Sequence, residues 1–259
     1  MSPSNYHTHT TFCDGENTPE EMVQKAVALG CPEIGFSGHS YAPYDTANCM
    51  SQAGTEEYRQ CVLALREKYR GKIVIRLGVE QDYYAPAPKQ RYDYVIGAVH
   101  YLQPLENVFF PVDQSEETLC RGVTAYYGGD FYAMAEDYYD KVARLYQKTG
   151  CQVVAHFDLI TKFNEQNRWF DTSHPRYRNA AMRALHALAA SPVVFEINTG
   201  AISRGYRSEP YPEPFLLDAI RKANRAVMFS SDSHRADTLL FGYEKYLELT
   251  AGWEAEQKR

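Results

Sequence analysis

The chain is defined first by what it lacks. No run of about 18 apolar residues occurs in it, so no segment reads as a membrane-spanning helix. The N-terminus carries no basic segment followed by an apolar stretch, so no secretory leader is expected. The six cysteines (Cys13, Cys31, Cys49, Cys61, Cys120 and Cys151) are scattered without a C-x-x-C pair. They read as reduced thiols of a cytoplasmic protein, and only Cys13 lies beside a chemically suggestive stretch. No basic run is present and the net charge is −6, which argues against nucleic acid or an anionic membrane as partner. An anionic substrate stays admissible, because bound metal ions would dominate the local field. There is no linker-like or low-complexity segment, and no repeat beyond a strand–helix rhythm.

What is present has the balance of an ordinary globular protein. Of 259 residues, 44% are hydrophobic and 23% charged, enough for a large core without covalent staples. The 21 tyrosines suit half-buried faces with polar tips. In TPEEMVQKAVALG, Thr18 suits an N-cap, Pro19 the first helical position and Glu21 a capping box. Met22, Ala26 and Leu29 then form an apolar stripe, and Gly30 stops the helix. EIGFSGH reads as a strand, and residues 56–69 as a helix with Tyr58, Val62, Leu65 and Tyr69 on one face. KIVIRLGVE and YDYVIGAVH are further strands. Residues 101–130, with Pro104, Pro111 and Gly128-Gly129, read as a long loop with one helical turn. A helix over 132–148 follows, then the strand CQVVAHFD, the helix HPRYRNAAMRALHALAA and the strand PVVFEINTG. The helix EPFLLDAIRKAN, the strand AVMFSSDSH and a helix from Ala236 to Leu249 complete the chain.

With NYHTH as a first, weakly apolar strand, this makes about seven β-then-α units, hence a parallel sheet. The expected architecture is α/β, a nearly complete (β/α) barrel formed as a single domain over residues 1–259. A doubly wound open sheet is the alternative. It calls for a glycine-rich phosphate loop after the first strand, and none is present.

The strand ends carry the chemistry. The first holds His7 and His9, and the next four end at His39, Glu80, His100 and His156, with Asp158 behind the last. EINTG follows, then SSDSH with Asp232 and His234. In a parallel barrel these ends converge on the face that holds active sites. Six of the eight histidines fall there; His174 and His186 fall at a helix start and inside a helix. Strand residues i and i+2 point the same way, with Cα atoms roughly 6.6 Å apart. Two imidazoles can therefore lean toward one ion at ~2.0–2.1 Å. His7/His9 has this spacing and Asp232/His234 repeats it, on the same ion or on different ones. Glu80 can bridge two ions with its two oxygens. Imidazole and carboxylate without thiolate suit zinc, manganese or iron. One strand-end histidine alone is ordinarily a hydrogen-bonded surface group; the aligned set is what points to metal. Asp14, in an ordinary CDG turn, hangs over the same mouth.

The motifs HTHTTFCDG, SGH, GVE, GAVHY, AHFD, EINTG and SSDSH, in this order over nearly the whole chain, resemble the PHP (polymerase and histidinol phosphatase) superfamily. Chain length, the lack of an appended domain, GAVHY, EINTG and YPEP make it most similar to the monofunctional histidinol-phosphate phosphatases. The resemblance implies a distorted (β/α)7 TIM-like barrel around a trinuclear centre of zinc, manganese or iron. By position, His7, His9, Glu80 and Asp232 would hold one ion. Glu80 would bridge to a second, held also by His100 and His156. Asp14, His39 and His234 would hold the third, although some branches place a histidine at the Asp14 position. The implied activity is hydrolysis of a small phosphate ester, L-histidinol phosphate, in histidine biosynthesis.

With three divalent ions, the carboxylates Asp14, Glu80 and Asp232 would leave the site at about +3 before water ionises. A hydroxide bridging two ions would attack phosphorus in line, while the ions absorb charge on the phosphoryl oxygens. Asp14, Glu80 and Asp232 are thereby the catalytic candidates, and Asp14 or a metal-bound water is the candidate proton donor. Arg204 is the first candidate to clamp the phosphate and Lys162 the second, with Arg207 competing with Arg204. A solvated loop charge is the plain alternative for each. A PHP phosphoesterase acting on nucleotides or nucleic-acid ends would call for a basic path with stacking aromatics. Amide hydrolysis on a similar barrel and a regulator with lost ligands are the other classes; no ligand is lost here.

Overall fold

A computed structural model describes residues 3–88 and 90–253. Helix α1 (Pro19–Ala28) begins as its chemistry dictates. The Thr18 side chain accepts from the Glu21 N–H, and Glu21 accepts from the Thr18 N–H at 2.7 Å. Met22, Val23 and Ala26 are buried, but Leu29 is 40% exposed, because it follows the last helical residue and lies off the stripe. Gly30, at φ +72, turns the chain left-handed there.

The following elements are β1 (Glu33–Phe36), α2 (Gln52–Lys68), β2 (Val74–Asp82), β3 (Tyr94–Ala98), β4 (Tyr101–Leu105), β5 (Val108–Pro111), α3 (Glu116–Tyr127), α4 (Phe131–Ala143) and α5 (Leu145–Thr149). Then come β6 (Val153–Val154), α6 (Pro175–Ala189), β7 (Val194–Asn198), α7 (Gly200–Ser203), α8 (Pro214–Lys222), β8 (Val227–Ser230) and α9 (Tyr243–Leu249). Strands β1-β2-β3-β6-β7-β8 form one sheet in that order, every pair parallel.

NYHTH is not a regular strand, yet it lies between the two sheet edges. Asn5 bridges Ile34 of β1, and Thr8 bridges Ser233 just beyond β8, both in parallel. The Gly35 N–H donates to the Asn5 carbonyl at 2.8 Å, and the His9 N–H to the Ser233 carbonyl at 2.8 Å. The Asn5 side chain fastens this irregular stave, donating to Ser231 Oγ at 2.8 Å and to the Leu239 carbonyl at 3.1 Å. Six regular strands and this stave thus curl into a distorted barrel, and the open-sheet alternative falls.

Residues 101–130 are not the loop expected. They form the antiparallel β4–β5 ribbon and the 12-residue helix α3. Pro104 and Pro111 are tolerated because a two-stranded ribbon needs partners on one side only. Ser115 caps α3 by accepting from the Thr118 N–H at 3.1 Å, and Gly128 ends it at φ +61. Other expectations shift less. Capped by Ser51, α2 begins four residues before the expected start, and the helix over 132–148 breaks at Arg144 into α4 and α5. Ala236–Thr238 is a single 3-10 turn, and α9 begins only after Gly242.

Two apolar clusters flank the barrel. One gathers Tyr138, Tyr139 and Tyr177 from α4 and α6 with Phe157 and Phe195. The other gathers Met22, Ile34, Phe36, Tyr58 and Val62. Each such side chain contributes roughly 1.5–3 kcal/mol on burial. The Tyr94 ring crosses beneath the mouth, donating to the Phe36 carbonyl at 3.0 Å, and the missing Cβ atoms of Gly35 and Gly78 leave room for it. Among the described residues no helix is long and apolar enough to cross a membrane.

Candidate metal centre

At the mouth, four donor atoms from three parts of the chain face one point. His7 Nε2 lies 3.2 Å from Glu80 Oε2 and 3.5 Å from Asp232 Oδ1; His9 Nε2 lies 3.5 Å and 3.3 Å from the same two atoms. Donors held tetrahedrally at ~2.0–2.1 Å from an ion stand about 3.3 Å apart. His7 Nε2, His9 Nε2 and Glu80 Oε2 are buried with no hydrogen-bond partner among the described residues. Each such orphan costs roughly 1–3 kcal/mol. One cation at the common point would satisfy all three, so these residues fit a divalent metal.

The other candidates adjoin this group. Glu80 Oε1 lies 3.1 Å from His156 Nε2 and 3.4 Å from His100 Nε2, and Glu80 Oε2 lies 2.9 Å from His39 Nδ1. Asp14 Oδ2 lies 3.1 Å from His234 Nε2 and 3.5 Å from His39 Nε2, and its Oδ1 is 3.3 Å from His9 Nδ1. All nine side chains named from the sequence therefore stand in one cluster. His39 and His9 each touch two of its three parts, so the divisions are less clean than position alone implied. His174 and His186 stand apart: the first accepts from the Arg176 N–H as the α6 cap, and the second is exposed.

Burial disfavours charge on His7 and His100, yet carboxylates outweigh it. Glu196, Glu80 and Asp232 raise His7 to about 10, and Glu80 and Asp82 raise His100 to about 10. Burial would likewise lift Glu80 and Asp232, but His7 and its neighbours hold both well below the usual carboxylate range. Asp232 also carries a left-handed backbone, φ +45, of order 1 kcal/mol in cost. The Ser230 hydroxyl supports it by accepting from its N–H at 3.0 Å.

The three basic candidates separate. Arg204, just past α7, lines the mouth; its Nη2 is 3.1 Å from Asp232 Oδ2, and its Nη1 donates to the Asp232 carbonyl at 3.1 Å. Lys162 lines the same mouth and donates to the Asp113 carbonyl at 2.7 Å. Arg207 is not among the lining residues. It is buried, bonded to Thr161 and the Glu209 carbonyl and stacked 4.8 Å over Tyr211. Its planar donors are used by the fold, so the structure separates it from the mouth that Arg204 and Lys162 line.

Three carboxylates escaped the sequence reading. Glu196 Oε1 lies 2.6 Å from His7 Nδ1, and Asp82 Oδ2 accepts from the His100 N–H at 2.9 Å. Both have a period-two signal: Asp82 follows Glu80 by two, and Glu196 precedes Asn198 by two. Asp113 has no such signal.

A sequence model of the PHP domain matches residues 5–200. The chain belongs to the PHP domain family. Among relatives of this PHP chain, the histidinol-phosphatase of Bacillus subtilis is 26% identical over 271 residues, covering 96% of this chain and 99% of that protein. A crystal structure from Listeria monocytogenes superposes with a TM-score of 0.81 at 22% identity, covering 94% of this chain and 100% of the other. A histidinol phosphate phosphatase from Lactococcus lactis, solved with zinc, L-histidinol and phosphate, superposes at 0.73 with 20% identity, covering 97% and 93%. These two share the PHP barrel described above.

Proposed function

We propose that this PHP chain is a metal-dependent phosphoric monoester hydrolase that converts L-histidinol phosphate to L-histidinol and phosphate in histidine biosynthesis. The observation that carries the reading is the four-donor group of His7, His9, Glu80 and Asp232 with three orphaned atoms, set beside Arg204 and Lys162. The near full-length relative from Bacillus subtilis bears the name of that activity.

The donor set would hold three divalent ions, zinc, manganese or iron. His7, His9, Glu80 and Asp232 take the first, Glu80, His100 and His156 the second, and Asp14, His39 and His234 the third. Ions there supply an activated water and positive charge opposite the phosphoryl oxygens. The rest of the work belongs to the chain. Arg204 presents a planar fork that orients the phosphate, and its bond to Asp232 keeps that fork at the mouth. Lys162 adds a second cation. Glu80 and Asp232 stay ionised and hold their oxygens toward the cluster. The neighbouring histidines outweigh burial and keep Asp14 ionised too, so it serves as a ligand rather than as proton donor to the leaving alcohol.

The test is phosphate release by purified protein loaded with zinc, manganese or iron, comparing L-histidinol phosphate with mononucleotides. Preference for L-histidinol phosphate is expected. Inactivity with all three metals, or preference for nucleotides, overturns the reading.

A further inference from the structure

Beside the metal cluster, and lined in part by its Asp14, His39, Glu80 and His100, the chamber widens into an alcove of about 210 Å³. Tyr44, Asp45, Tyr101 and Asp113 line it, and Lys162 is the sole lysine or arginine on its described walls. Ser40, only 5% exposed, lines it as well, and its hydroxyl has no partner among the described residues. The aromatic side is firm: Tyr44 stacks on Phe109 at 4.0 Å, meets Tyr101 edge-on at 5.0 Å, and donates to Asp82 Oδ1 at 2.5 Å. Asp113 and Lys162 line both this alcove and the metal-bearing half, as the proposed ligands Asp14, His39, Glu80 and His100 also do, and they are the shared pair that is not itself among the proposed metal ligands.

In that pair Lys162 Nζ lies 3.4 Å from Asp113 Oδ2 and 2.7 Å from the Asp113 carbonyl oxygen. A phosphate dianion arriving beside the metals attracts Lys162 away from this pair. Asp113, three-quarters buried, then loses its nearest cation and faces an anion. An alcohol that carries its own cation removes that penalty. In a β-amino alcohol phosphate, two carbons separate the ester oxygen from the amine, which sets them about 3–4 Å apart by ordinary bond lengths. An ammonium that close to the ester can meet a carboxylate at the edge of the metal-bearing half, where Asp113 stands.

We propose that Asp113 is a specificity-determining residue: it takes the ammonium group of the leaving alcohol in exchange for Lys162, which turns to the phosphate. The tyrosine walls accept the flat ring of the alcohol. Esters without an amine are rejected because they strand Asp113. The assignment rests on the proposed function and names the residue that recognises its substrate.

The test uses metal-loaded enzyme with two esters, L-histidinol phosphate and its deamino analogue, 3-(imidazol-4-yl)propyl phosphate. Asp113→Asn keeps the shape and removes the charge. Its kcat/KM for L-histidinol phosphate should fall about 30-fold, the loss of one charged hydrogen bond, while the deamino ester changes less than about threefold. Inhibition by L-histidinol should weaken in the variant, and inhibition by inorganic phosphate should not. Equal losses for both esters, or no loss for L-histidinol phosphate, overturn the assignment and leave the proposed function standing. Wild-type enzyme that cleaves neither ester overturns both.

Discussion

His7 Nδ1 and Glu196 Oε1 lie 2.6 Å apart with both side chains fully buried. A carboxylate only accepts, so Nδ1 keeps a proton toward Glu196, and Nε2, which faces Glu80 and Asp232, is the nitrogen left to offer a lone pair to an ion once its own proton is released. The other Glu196 oxygen accepts from the His156 N–H at 2.9 Å and from Asn198 Nδ2 at 2.9 Å. One carboxylate therefore orients two of the proposed ligands. Glu196→Gln should weaken metal binding by about 10–100-fold, measured by competition with a chelator. Activity should fall at limiting metal and recover with excess metal. Unchanged affinity would show that Glu196 does not set the His7 tautomer.

Loading the centre should release protons. Without an ion, His7 and His100 sit at about 10 and hold protons at neutral pH. An ion needs the lone pairs those protons occupy, so affinity should fall as pH drops from about 8 to about 6. Zinc titration calorimetry in buffers of different ionisation enthalpy measures the protons released. A heat independent of the buffer would count against protonated histidines in the metal-free state.

Arg204 should act on substrate more than on metal. Arg204→Lys keeps the charge but loses the planar fork, so KM for the phosphate ester should rise by about tenfold with metal content unchanged. Gly200→Ala is a second probe, since a Cβ there would stand 2.9 Å from both Arg204 Nη2 and Asp232 Cβ. It should raise KM in the same way without altering charge. Loss of metal in Arg204→Lys would instead make the arginine a support for Asp232.

The mouth was legible because a parallel barrel turns strand ends into neighbours, and His7/His9 and Asp232/His234 keep the two-residue spacing. How the ring closes was not. NYHTH has no apolar alternation, and its place is set by Asn5 bonding to Ser231 and Leu239, more than two hundred residues away. The β4–β5 ribbon and α3 were hidden because Pro104, Pro111 and Gly128 punctuate them, and such residues mark ribbon edges and helix ends as readily as loops. Asp113 was hidden with them. Arg204 and Arg207 are three apart in one loop, and only the turn after α7 decides that one faces the mouth and the other Thr161.

Behind His156, Glu213 and Asp158 form an acid pair that shares Arg207. Asp158 Oδ2 accepts from the Glu213 N–H at 2.9 Å, while Asp158 Oδ1 and Glu213 Oε2 are buried without partners among the described residues. Burial first, then the Asp158 charge, push Glu213 up to about 7, with Arg207 opposing. An unfolded glutamate titrates near about 4.3. Between these values the folded chain binds the extra proton, so the group's contribution is complete below about 4.3 and is lost as pH rises through about 7. Urea unfolding of wild type and Glu213→Gln in parallel isolates it, because metal loss at low pH affects both proteins alike. The stability of wild type relative to the variant should decline from about pH 5 to about pH 8, by at most about 3 kcal/mol. A difference that grows with pH would mean that Glu213 is ionised in the folded chain and held by Arg207.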